Sequence, residues 1–79
     1  MITAKIYMNN DITDIIEFVK AASKSSSDVI VKKGSRVLDG SSLAGMMTLD
    51  PAGGIDVTYA ADDHEFESFL KDHYTVIGV

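Results

Sequence analysis

The sequence predicts an α+β domain, an antiparallel sheet with its helices collected on one face. Three observations carry that reading. Short segments alternate apolar and polar residues, the period of a strand with one buried face. Other segments repeat their apolar residues at three- and four-residue spacing, the period of a helix. The order is strand, helix, strand, strand, helix, strand, helix, which packs as an open-faced sandwich. At 79 residues the chain supports one such domain, residues 1–79, and no second core. No internal repeat, low-complexity segment or linker interrupts it.

The first strand is marked by Ile2, Ala4, Ile6 and Met8 alternating with Thr3, Lys5 and Tyr7. Asn9-Asn10-Asp11 breaks it. Each of these side chains is a good helix N-cap, because its oxygen accepts from the free N–H groups of the first turn. Ile12, Ile15, Ile16, Val19 and Ala22 follow at helical spacing, with Phe18 on the flank. Asp14 and Glu17 come early and Lys20 and Lys24 late, matching the helix dipole. Ser25 to Asp28 reads as a loop. Val29-Ile30-Val31 is a β-branched strand, Lys33-Gly34-Ser35 a hairpin turn and Arg36-Val37-Leu38 the antiparallel return.

Asp39-Gly40 leads to Ser41 and Ser42, whose hydroxyls cap a short helix carrying Leu43, Ala44, Met46, Met47 and Leu49. These apolar residues spread over more than one side, so part of that surface faces outward. Exposed apolar surface with methionines suits a protein partner. Pro51 ends the helix, since proline disfavours a helical residue before it. Ile55, Val57 and Tyr59 alternate with Asp56 and Thr58 as a fourth strand. Ala61-Asp62-Asp63 caps a last helix with Phe66, Phe69 and Leu70 on its inner face. His73 to Val79 carries no assignable element. Its apolar residues Val76, Ile77 and Val79 are expected to pack down, within the domain or across a dimer.

Composition removes several classes of function. The formal net charge is −5, whereas nucleic acid demands a basic surface, so no nucleic-acid partner is expected. Lys32, Lys33 and Arg36 cluster at the hairpin but are too few to make such a surface. There is no cysteine, which excludes disulfides and thiolate chemistry and suits a reducing compartment. No stretch approaches the ~20 apolar residues that cross a bilayer, and the first strand begins without an apolar signal core. The expected setting is the cytoplasm, without membrane insertion. His64 and His73 have no second ligand at metal spacing and no serine at triad spacing, so surface or packing roles are expected, with no metal and no cofactor. Asp62, Asp63, Glu65 and Glu67 read as a solvated first turn.

Three stretches carry a likeness to a known family: Ala22-Ser23-Lys24 through Asp28-Val29, Ser42-Leu43-Ala44-Gly45-Met46-Met47-Thr48-Leu49, and Ile55-Asp56-Val57-Thr58-Tyr59-Ala60-Ala61-Asp62. The chain resembles HPr, the histidine-containing phosphocarrier of the bacterial sugar phosphotransferase system, without a gap from Ala22 to Asp62. The run serine, hydrophobic, x, Gly, x, Met, Ser or Thr, Leu is its most specific part. The resemblance implies an HPr-like sandwich, βαββαβα, with a four-stranded antiparallel sheet in the order 1-4-2-3 and three helices on one face. It implies cytoplasmic protein partners: phosphotransferase enzymes, a serine kinase or a transcription regulator.

The likeness breaks where the family's chemistry sits. The family carries Gly-x-His-Ala-Arg-Pro at the end of the first strand and the start of the first helix. Its histidine takes the phosphoryl group, and its arginine and the helix N-terminus help hold that group. Counted back from Ala22, the histidine position falls on Asp11, the arginine on Thr13 and the proline on Asp14. No histidine occurs before His64, so no shift of register restores one. Two carboxylates stand where a phosphoryl dianion would sit, and like charge repels it. The carrier reaction needs a nucleophilic imidazole.

Asp11 therefore has two readings. It is a phosphoryl acceptor forming an acyl phosphate, or a plain N-cap. Ser42 falls on the serine that a dedicated kinase phosphorylates in the Gram-positive branch of the family, where the modified protein docks on a transcription regulator. A phosphate there gains from free N–H donors and places charge beside Leu43 and Met47. Ser41 competes with it as acceptor or cap. The expected function is a non-catalytic regulatory or docking module that uses Leu43, Ala44 and Met47 with Thr13 and Asp14 at the neighbouring helix end. The alternative is a phosphoryl carrier that uses Asp11 in place of histidine.

Overall fold

The computed structural model describes residues 1–78. In chain order it holds β1 (Ile2–Tyr7), α1 (Ile12–Lys24), β2 (Ile30–Lys33), β3 (Arg36–Asp39), α2 (Leu43–Met47), β4 (Ile55–Tyr59), α3 (His64–His73) and β5 (Thr75–Ile77). The strands form one sheet in the order β3-β2-β4-β1-β5, and every neighbouring pair is antiparallel.

The first four strands keep the expected order 1-4-2-3, but the expected four-stranded sheet is corrected to five strands. The unassigned tail adds β5 to the free edge of β1, so the element order is βαββαβαβ. Thr75, Val76 and Ile77 are all β-branched, which favours extended backbone. Their register, Lys5↔Ile77, Ile6↔Val76 and Tyr7↔Thr75, turns Val76 to the face of Ile6 and Ile77 to the face of Lys5. Val76 packs against the core, while Ile77 is exposed. Val79, grouped with them in the sequence, lies outside the described residues.

One face of the sheet is buried. Ala4 and Ile6 of β1, Val31 of β2, and Ile55, Val57 and Tyr59 of β4 lie under the helices. On the outer face Thr3 and Thr58 pair through their hydroxyls at 2.8 Å. From α1, Ile15, Phe18, Val19 and Ala22 point inward. Phe18, expected on the flank, is at the centre of the core, and Ile12, expected on the inner stripe, is 49% exposed. Spacing of three and four residues from Ile15 selects this set, one phase round the helix from the stripe that starts at Ile12. Phe18 meets Phe66 of α3 edge-on at 5.9 Å. It also lies against Gly40, where an added Cβ would fall 2.8 Å from Val29 Cγ1, so the bare glycine lets the chain leaving β3 pack against Val29.

The hairpin closes at Lys33↔Arg36 around Gly34-Ser35, with Gly34 at φ +59°. A glycine with positive φ in the first position of a two-residue loop is what a twisted hairpin requires. α2 stops at Met47, with Thr48 as C-cap, so Leu49 packs into the core from beyond the helix. α3 runs back along α1. Ser25, the C-cap of α1, donates to Asp63, the N-cap of α3, and Tyr74 beyond α3 donates to the Asp14 carbonyl at 3.3 Å.

Candidate functional site

The candidate site has two parts, the mouth of α1 and the outer face of α2. Asp11 is the N-cap of α1: its backbone is extended, and its carboxylate accepts from Thr13 N at 2.8 Å. Asp11 and Thr13 are exposed and Asp14 is half-buried. The Asp14 carbonyl is held by the Tyr74 hydroxyl. Burial pushes the Tyr74 phenol above its ordinary range, and the nearby Asp14 and Glu17 carboxylates push it the same way. Beside this first turn lies a surface cavity of about 410 Å³, bordered by Met8, Asn9, Asp14, Asp72 and His73. No Lys or Arg lines it among the described residues. The helix mouth therefore faces carboxylates rather than the cations that a phosphoryl group needs.

His73 puts an imidazole on the wall of that cavity, which sequence spacing gave no means of seeing. Its ring is committed elsewhere. It stacks on Phe69 with centroids 4.3 Å apart, and Nδ1 meets the Phe69 carbonyl at 3.0 Å. No hydrogen bond joins it to α1 among the described residues. His64 is exposed at the first position of α3.

α2 is positioned by its two ends. Ser42 is its N-cap, and the hydroxyl accepts from Gly45 N at 3.2 Å. Ser41 is not a competing cap, because its N–H and hydroxyl both donate to Asp39 Oδ1, at 2.9 and 2.7 Å. Those two donors hold the Asp39 carboxyl below its usual range. At the other end Arg36 donates to the Thr48 carbonyl at 3.0 Å and to its hydroxyl at 2.8 Å. A guanidinium on the last carbonyls of a helix is a favourable stop, and it is a role that the basic cluster at the hairpin did not announce. Held this way, α2 buries Met46 and turns Leu43, Ala44 and Met47 outward.

α1 and α2 pack directly on each other, so the two groups of predicted residues sit on neighbouring helices. Thr13 and Asp14 are on one, Ser42, Leu43, Ala44 and Met47 on the other. No side-chain hydrogen bond links the groups among the described residues. Ile12, which the sequence placed inside, adds exposed apolar surface to the α1 end.

A family model described as PTS HPr component phosphorylation site matches residues 15–72. The chain belongs to the HPr family. No curated protein and no solved structure matches it. The HPr match begins within the first turn of α1. Asp11, Thr13 and Asp14 precede the matched span, and Ser42, Leu43, Ala44 and Met47 lie inside it. The family relation thus covers the α2 half of the site. Among the described residues no group of three or more His, Asp or Glu is placed to hold a metal ion. Nor is any helix long and apolar enough to cross a membrane.

Proposed function

We propose that this HPr-family chain is a non-catalytic regulatory module. It docks other proteins through Leu43, Ala44 and Met47, with Thr13 and Asp14 of α1 as the polar rim, and Ser42 is its phosphorylation switch. The observation that supports this most is the outer face of α2. Leu43 and Met47 are 40% and 56% exposed on a helix of five residues, a small apolar surface that includes an adaptable methionine. A phosphate on Ser42 would set a charge of roughly −2 at the edge of that surface. The proposed partners are phosphotransferase enzymes, a serine kinase or a transcription regulator, and the proposed setting is the cytoplasm. The carboxylates at the mouth of α1 support the non-catalytic part of the reading.

Incubation with ATP and the family's serine kinase is expected to label the wild-type chain and to leave Ser42→Ala unlabelled. Equal labelling of both removes Ser42 from the proposal. Docking is read separately by titration calorimetry against the phosphotransferase system's first enzyme. Met47→Glu is expected to weaken binding roughly tenfold, and an unchanged affinity would contradict the α2 surface.

A second reading is supported by Asp11 itself, whose exposed carboxylate has one oxygen engaged, with Thr13 N. The free oxygen suits an acyl-phosphate carrier. Phosphoenolpyruvate and the first enzyme would then place a hydroxylamine-sensitive phosphate on the wild-type chain and none on Asp11→Asn. No such phosphate on the wild type ends this reading.

A further inference from the structure

A groove on the other flank of α1 has a chemistry of its own. It lies between α1 and α3 and encloses about 330 Å³, within the range of small-molecule sites, roughly 300–1,000 Å³. Its α3 wall is a ladder of rings. Phe66 and Phe69 stand 6.3 Å apart at 21°, and Phe69 and His73 stand 4.3 Å apart at 29°. The bond between His73 Nδ1 and the Phe69 carbonyl fixes the plane of the last ring. The α1 wall carries Lys20, Ala21 and Lys24. Lys20 and Lys24 are one helical turn apart, so both ammonium groups reach the same stretch of groove. The ion pair found among the described residues joins Lys71 and Glu67, and neither groove lysine takes part in one.

The acids of the groove restrict what those lysines can receive. Asp63 has both oxygens occupied, by Ser25 and by Phe66 N. Glu17 and Glu65 also line the groove, and their charge opposes a multiply charged ligand. His73, exposed at the end of the ladder, offers a flat aromatic body a ring to pack on, and uncommitted ammonium groups favour one anionic group upon it. We propose that this groove binds a small aromatic carboxylate, its ring against Phe69 and His73 and its carboxylate between Lys20 and Lys24. No residue of α2 lines the groove, so the ligand would leave Leu43, Ala44 and Met47 uncovered, while His73 borders both this groove and the cavity beside Asp14.

The test uses 1-naphthoate as probe, titrated into the full nitrogen-15-labelled chain and followed by amide shifts. Saturable shifts are expected at Ala21, Lys24, Phe69 and His73, with Leu43 to Met47 unmoved. The uncharged analogue 1-naphthalenemethanol is expected to bind roughly tenfold more weakly. The Lys20→Gln/Lys24→Gln double variant is expected to lose about as much. Both lysines are exposed, and the variant's own spectrum confirms its fold. Shifts that do not saturate or that map elsewhere overturn the proposal. So does equal affinity for the alcohol, equal affinity of the double variant, or tighter binding of 1-naphthyl phosphate than of the carboxylate.

Discussion

Asp63 joins two helices with one carboxylate. One oxygen accepts from Phe66 N at 3.1 Å and caps α3, and the other accepts from Ser25 at the end of α1. Asp11 caps α1 and, by its hydrogen bonds, does nothing else. Asp11→Ala is therefore expected to cost about 1 kcal/mol in urea unfolding. Asp63→Ala should cost about 2 kcal/mol, because Ser25 also loses its partner. Equal losses would show that the link between the helices contributes nothing. The capping stretches that hold Asp11, Ser42 and Asp63 were legible, because capping is a local rule tied to residue type, but each stretch offered two or more candidates and only the backbone geometry singles one out. The Ser25 link was not, since its partner is distant in sequence and no local pattern announces it. The same holds for Arg36, whose target at Thr48 belongs to another element, and for His73, whose neighbours are set by the return of α3 along α1.

The helices show where periodicity stops deciding. α1 carries apolar residues at 12, 15, 16, 18, 19 and 22, more than one stripe holds. The spacing establishes a helix but leaves its rotation open, and packing on the sheet settles it with Phe18 at the centre. Phe18→Ala should cost about 3–5 kcal/mol, against a total near 4–12 kcal/mol for a domain of this length. Its melting transition is expected far below the wild type's, whereas Ile12→Ala should shift it little. β5 escaped the sequence reading for a different reason. Only Tyr74 separates it from α3, so no turn signal marks its start, and three residues are too few to show a period. Val76→Asp is expected to strip β5 from the sheet. Hydrogen exchange would then speed up at the β1 amides that face β5 and stay slow at those that face β4. Uniform acceleration would mean that β5 cannot be detached alone.

Across the whole molecule, two tyrosines are expected to set the alkaline limit. Tyr59 is buried in the core and donates to Glu67 at 2.8 Å. Burial is the larger cause raising its phenol above the ordinary value near 10, and the Glu67 carboxylate adds to it. Tyr74 is raised in the same direction. A raised value means that the folded state holds the proton more tightly than the unfolded chain. The stabilisation is thus complete below about pH 10 and is lost as pH rises beyond that. Melting temperature is expected to stay level up to about pH 10 and to fall above it. In a Tyr59→Phe/Tyr74→Phe variant the fall should be shallower, from a start about 1–2 kcal/mol less stable. An equally steep fall would place the alkaline limit elsewhere. The strand order has one more consequence, for synthesis. β1 leaves the ribosome first of the strands, yet its two neighbours, β4 and β5, are translated last. A nascent chain halted before Ile55 holds its leading strand with nothing to lie against, so protease resistance should arrive only once β4 and the covering helix α3, which ends at His73, have cleared the exit tunnel.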